Sequence, residues 1–201
     1  MPVFETEKGL IFFSHIPKCA GMSIEKGFSG YPTHLKNPYL HGKNQLGFPC
    51  SPQHFHAEII QKMFNARHFQ YTFSVVRNPF DRVSSEYRFR ADIAKRQNRE
   101  IANFDLWLQH SLQKYHADPY ILDNHLRPQV QFLLPDMKVL KLEIGLVEIF
   151  KVIQEDIPGL SLDPPTHANV SNSSIPELSP KSIALITQMY SEDFEQLDYQ
   201  A

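Results

Sequence analysis

Long apolar runs are missing from this sequence of 201 residues, and none approaches the length of a membrane span. The opening MPVFETEKGL is short and carries acidic residues, which is not the pattern of a signal peptide. The expectation is a soluble, cytoplasmic protein without stable membrane insertion. Cysteine is scarce. Cys19 and Cys50 are too few for a disulfide framework and fit two reduced thiols. Charge of one sign is also missing: the formal net charge of −2 argues against a general nucleic-acid coat, although it leaves room for a local basic pocket. There are no repeats and no low-complexity stretch. The GxxxxGK[ST] pattern is absent. His54-x-His56 could chelate, but no Cys or carboxylate set with zinc spacing accompanies it, so no metal is expected in catalysis.

What is present is the composition of an ordinary globular chain, 42% hydrophobic and 21% charged, long enough for one domain over residues 1–201. Short apolar runs at Leu10–Ser14, Tyr71–Val76 and Met137–Leu142 read as strands. Helices are expected over 23–28, 55–66, 80–96, 103–116 (with Asn103 as cap), 146–155 and 179–197. Residues 29–53, rich in Gly, Pro, Asn and His, read as a long loop, and 163–180 as a polar, Pro-rich one. Strands alternating with helices predict an α/β, P-loop-like, three-layer domain. Its central, mainly parallel sheet would be flanked by helices. Ligands of such sheets sit at the carboxyl ends of the strands.

Two segments lie at such ends. In PKCAGMS, successive backbone N–H groups between a strand and a helix would form an anion nest. Gly21 would let the backbone come close, Lys18 would add a charge and Ser23 a hydroxyl. In RNPFDRVSSEY, Asn78-Pro79 ends the strand and opens a helix. Arg77 at the strand tip has the fork that suits a phosphate, and Ser85, two turns on, reaches toward the same group. Arg82 is expected to pair with Glu86 at i, i+4 and to be structural.

SHIPKCAGMS followed by VVRNPFDRVSSEY resembles the sulfotransferases that use 3′-phosphoadenosine 5′-phosphosulfate (PAPS). The resemblance is to their carbohydrate branch, with its His-Ile-Pro-Lys-x-x-Gly and Arg-Asn-Pro-x-x-Arg-x-x-Ser-x-Tyr patterns. It extends to DNHLRPQVQFL, THANVS and YSEDFEQLDY, and so covers nearly the whole chain. It implies that Lys18, Cys19, Ala20, Gly21, Met22 and Ser23 hold the 5′-phosphosulfate, with Lys18 also neutralising the leaving oxygen. Arg77 and Ser85 would hold the 3′-phosphate, and Asn169 and Ser171 would belong to a late loop closing over the nucleotide. Relatives of this kind place a catalytic His just before the second strand, where His54 and His56 lie. His56 leads a helix, which favours a neutral, basic imidazole, and is the first candidate for the base; His54 is the second and Glu58 a reserve. One of the two histidines can instead cap or pack, a role that falls to His54 before His56. His125, Arg127 and Gln129 are expected on the substrate side, and His15 to support the loop through a hydrogen bond.

The resemblance implies transfer of the PAPS sulfuryl group to a hydroxyl of a carbohydrate or glycoconjugate, without metal. No membrane anchor is expected, which would set the chain apart from Golgi relatives. Two alternatives are a P-loop kinase or NTPase, disfavoured by the missing Walker lysine and magnesium ligands, and a non-catalytic nucleotide-binding module. Acceptor specificity would lie in 29–53, 88–98 and 116–131.

Overall fold

The computed structural model describes residues 1–34, 47–166 and 173–201, with Ala66 described by its backbone alone. Val3–Thr6 (β1) and Gly9–Ser14 (β2) form an antiparallel hairpin with Thr6 opposite Gly9. Gly9 sits at φ +119°, a conformation L side chains rarely take. The Thr6 hydroxyl closes the turn, donating to the Gly9 carbonyl at 2.9 Å and accepting from the Lys8 N–H. Thr33–His34 (β3) pairs antiparallel with β1. On the other side of β2, Tyr71–Val76 (β4) runs parallel to it, and Lys138–Lys141 (β5) runs parallel to β4. The sheet order is β3-β1-β2-β4-β5. The three expected strands are the parallel half. The antiparallel half, β1 and β3, was not expected, because one lies in an acidic opening and the other is a two-residue bridge inside a Pro- and Gly-rich stretch.

Strand side chains alternate between two faces. Phe4, Ile11, Phe13, Phe73 and Val75 pack with Ile24 and Phe28 and with Ile149, Phe150 and Ile153. That face is therefore covered by Gly21–Gly27 (α1) and Leu146–Asp156 (α5). Val3 and Phe12 point the other way, onto Ile60 of Ala57–Met63 (α2), Phe55 and Leu134. Helices on both faces make the three-layer α/β domain.

Beyond β4, Pro79–Arg96 (α3), Phe104–Ala117 (α4), Pro180–Met189 (α6) and Ser191–Gln196 (α7) share an apolar cluster around Val83, Leu108, Ile186 and Phe194. Side chains cap three of these helices: Asn78 accepts from Phe80 N, Asn103 from Leu106 N and Ser179 from Ser182 N. The single helix expected over 179–197 is instead two. The break falls at Tyr190, which is buried and whose hydroxyl donates to the Leu126 carbonyl at 2.9 Å. The helix expected over 55–66 is confined to α2 and follows a short 3-10 turn, Pro52–His54. No described helix is long and apolar enough to cross a membrane.

Because β2 and β4 are parallel neighbours, Ser14 beside Ser74, their carboxyl ends open at the same edge of the sheet. The two polar segments singled out in the sequence are thereby brought side by side.

Candidate active site

The loop after β2 turns sharply into α1. Lys18 and Ala20 both take left-handed conformations, with φ of 68° and 60°. Their alternation with ordinary residues bends the backbone into an anion nest. Cys19 N donates to the Ile16 carbonyl at 3.4 Å and Ser23 N to the Ala20 carbonyl at 2.9 Å. No described acceptor takes the N–H groups of Lys18, Ala20, Gly21 or Met22. Gly21 is required by close approach: a Cβ there would lie 2.1 Å from His15 Nε2. His15 in turn is held by Glu25 of α1, with Nδ1 2.6 Å from Oε1, and Gln53 donates to the same Glu25 oxygen at 3.2 Å. Burial pushes the His15 imidazole down to about 4 despite that carboxylate, so the ring is neutral.

Lys18, Ala20, Gly21, Met22, Ser23 and His15 line a cleft of about 690 Å³ together with Arg77, Ser85, His54, Asp123 and His125. The Lys18 ammonium lies 4.1 Å from the centre of the Phe89 ring. Burial lowers its pKa, partly opposed by Glu86 and reinforced by Arg90 and Arg77. Arg77 is fixed by its backbone. Gln129 accepts from Arg77 N at 2.9 Å and donates to Arg77 O at 2.8 Å, and is itself anchored on Asp193. Among the described residues none hydrogen-bonds the Arg77 guanidinium, which is left to the cleft.

Three histidines meet at this cleft: the rings of His15 and His54 have centroids 5.5 Å apart, those of His54 and His125 4.7 Å. Each is bound through Nδ1 to a carboxylate: His15 to Glu25, His54 to Asp123 at 2.8 Å and His125 to Glu86 at 2.7 Å. A ring that donates through Nδ1 keeps its lone pair on Nε2. Burial pushes His125 down to about 4, while Glu86 is held at about 2 by His125, Arg90 and Lys18 against the cost of its burial. Asp123 is held well below the usual carboxylate range by its bonds from His54 and Ser51, against desolvation. None of these three carboxylates was read in the sequence as the partner of a histidine, Glu86 being expected to pair with Arg82. Glu86 adjoins Ser85 and Asp123 lies two residues before His125, but pairing with a distant imidazole leaves no mark in local spacing.

The remaining expected residues fall differently. His54 lines the cleft and His56 does not. His56 forms the N-cap position of α2, is 4% exposed and faces Tyr120, with no partner for Nδ1 among the described residues. Burial and Arg127 lower its pKa. Glu58 is exposed and pairs with Lys62 at 2.6 Å. His125 lines the cleft, whereas Arg127 is buried, donating to Asn124 and Gln131 at 2.6 Å each. Gln129 is fully buried as the clamp on Arg77. Cys19 is buried beneath the loop, its thiol donating toward Gln129 at 3.3 Å and pushed up to about 12 by desolvation. Arg82 does not pair with Glu86; Arg90 does, at 2.6 Å. Arg82 reaches inward instead, donating to the Pro17 carbonyl at 3.1 Å and the His125 carbonyl at 2.9 Å. Asn169 and Ser171 lie outside the described residues.

The Sulfotransferase family model matches residues 3–200, nearly the whole chain, and the chain belongs to that family. Comparison with curated proteins gives no match, and neither does comparison with solved structures.

Proposed function

We propose that this member of the sulfotransferase family transfers the sulfuryl group of PAPS to a hydroxyl of a carbohydrate or glycoconjugate. One observation carries the proposal: a single cleft joins a nest of four free N–H groups and Lys18, after β2, to the free guanidinium of Arg77 and to Ser85, after β4. Two anion-binding centres on adjacent parallel strands suit a nucleotide with phosphate-like groups at two positions. The nest and Lys18 would take the 5′-phosphosulfate, Arg77 and Ser85 the 3′-phosphate.

In the proposed reaction the acceptor oxygen attacks sulfur from the side opposite the bridging oxygen. The new S–O bond forms as the bond to the 5′-phosphate breaks. The electron pair leaves on the phosphate oxygen, where Lys18 and the loop N–H groups stabilise it. The hydroxyl proton passes to a base. His54 is the better candidate than His56, because it lines the cleft and its Nδ1 is held by Asp123, leaving the Nε2 lone pair to accept. The products are the O-sulfated acceptor and 3′-phosphoadenosine 5′-phosphate. The carbohydrate acceptor is supported by the His-Ile-Pro-Lys pattern and by the aromatic and polar side chains of Phe89, His125 and Arg88 on the cleft wall, which suit sugar stacking and hydrogen bonding.

The test is calorimetric titration with 3′-phosphoadenosine 5′-phosphate and, separately, ADP, both in EDTA. The 3′-phosphate nucleotide is expected to bind more tightly. Arg77→Ala is expected to cost that ligand about 2–3 kcal/mol, the scale of a charge-assisted hydrogen bond, and little for ADP. Equal binding of the two nucleotides, or a demand for magnesium, would overturn the proposal in favour of a kinase-like enzyme.

A further inference from the structure

Two imidazoles on the cleft wall are held in the same way, and sulfuryl transfer as proposed uses only one of them. His54 and His125 each bond a carboxylate through Nδ1, Asp123 at 2.8 Å and Glu86 at 2.7 Å, and their ring centroids stand 4.7 Å apart. Both residues line the cleft, each with 11% of its side chain exposed. Among the described residues none bonds Nε2 of either ring, and the one sealed polar side-chain atom without a partner is Nδ1 of His56. The two Nε2 lone pairs are therefore open to the cleft as hydrogen-bond acceptors. The pair is also held rigidly. Arg90 donates to the Leu122 carbonyl at 3.2 Å, Arg82 to the His125 carbonyl at 2.9 Å and Asn124 to the His54 carbonyl at 2.8 Å. These bonds keep Leu122, Asp123 and Asn124 in three successive left-handed conformations, with φ of 56°, 61° and 68°, which L side chains resist. A turn maintained at that cost presents two preorganised acceptors.

We propose that His125 is a specificity-determining residue that reads a second hydroxyl, on the carbon next to the one that is sulfated, so that the acceptor is a vicinal diol. This role rests on the proposed sulfotransferase function, in which Nε2 of His54 takes the proton of the reacting hydroxyl. With the rings 4.7 Å apart, a hydroxyl on the neighbouring carbon can donate to Nε2 of His125. A carboxylate or a sulfate in that place brings only lone pairs to a lone pair, with the carboxylates of Glu86 and Asp123 behind the two rings. Burial pushes the His125 imidazole down to about 4, so it stays neutral and takes up no proton to receive an anion. Arg90 does not compensate, because its Nε is engaged by Glu86 and one Nη by the Leu122 carbonyl.

The full chain is titrated without nucleotide against cis-1,2-cyclohexanediol, cyclohexanol and cis-2-hydroxycyclohexanecarboxylate, each to saturation or to its solubility limit. Long-range ¹H–¹⁵N spectra report the histidine nitrogens. The diol should shift Nε2 of both His54 and His125. Cyclohexanol should bind ~2–10-fold more weakly, the scale of one neutral hydrogen bond, and the hydroxyacid more weakly than the diol. His125→Phe keeps a ring against Phe89 but has no lone pair, and should abolish the preference for diol over alcohol. His125→Gln, whose carbonyl oxygen can accept in place of Nε2, should restore part of it, with circular dichroism confirming that both variants fold. The spectra of the unsubstituted chain depend on neither variant. No shift at Nε2 of His125, equal affinity for diol and alcohol, a preference that survives His125→Phe, or tighter binding of the hydroxyacid would overturn the role given to His125. Since no nucleotide is present, failure here is separable from failure of the 3′-phosphate test.

Discussion

Lys18 and Cys19 are neighbours in sequence with opposite fates. Lys18 leaves the backbone in a left-handed conformation that directs it along the cleft wall beside Phe89, while Cys19 turns inward and is 1% exposed. If Lys18 stabilises the leaving oxygen, Lys18→Ala should lower turnover ~10²–10³-fold, the effect of removing one preorganised donor. Steady-state assay with PAPS measures it, and full turnover would remove the proposed role. Burial raises both Cys19 and Cys50 to about 12, so neither forms appreciable thiolate at pH 8. Iodoacetamide at that pH is expected to leave both unmodified in the folded chain and to label both after denaturation, read by mass spectrometry. At this scale the candidates Lys18, Gly21, Arg77 and Ser85 were legible in the sequence as residue types that suit a phosphate, and all four line the cleft. Gln129 and Arg127 were not: a polar side chain that satisfies buried backbone or neighbouring side chains reads, in sequence, like one that faces a substrate.

Helix α3 shows how an element is aimed. Asn78 and Pro79 start it, and its Ser85 lines the cleft. Arg82, one turn from the start and 2% exposed, ties α3 to Pro17 before the nest and to His125 on the opposite wall. Arg82→Met would keep much of the stem's packing while leaving two carbonyls without their donor. It is expected to cost about 2–4 kcal/mol, since each lost charge-assisted bond is of the order of 1.5–3 kcal/mol before relaxation. Denaturant unfolding at constant slope would register it; a loss below about 0.5 kcal/mol, the ordinary range for surface changes, would show that the two bonds do not hold the elements together. The i, i+4 rule predicted an Arg82–Glu86 pair, yet Arg90 occupies that place on the following turn. The spacing was right for either arginine. Which one turns inward was decided by the two carbonyls that approach α3 from outside its own sequence. Likewise, the single helix expected over 179–197 did not disclose its break, because the demand for Tyr190 to reach the Leu126 carbonyl comes from another segment.

For the molecule as a whole, the charge of −2 hides a local excess of cations. Lys18, Arg77, Arg88 and Arg90 line one cleft, where low-dielectric walls focus their field. Binding of 3′-phosphoadenosine 5′-phosphate should therefore weaken as salt rises, although protein and ligand are both net anions. Calorimetry at about 0.1 M and 1 M salt, spanning Debye lengths of roughly 10 Å and 3 Å, gives the comparison. Salt-independent affinity would show that the cleft cations do not draw in the ligand.

The sequence by itself determined the α/β alternation, the three parallel strands and the two polar segments at strand ends. Those features rest on short-range physics: hydrophobic period, turn chemistry, capping, and the residue types an anion requires. Tertiary structure alone decided that β2 and β4 are neighbours, so that segments more than fifty residues apart open into one cleft. It also decided that three histidines there acquire carboxylate partners, and that His54 rather than His56 faces the cavity. Each of those outcomes depends on which buried group finds its partner across the fold, a choice made by packing and desolvation at long range.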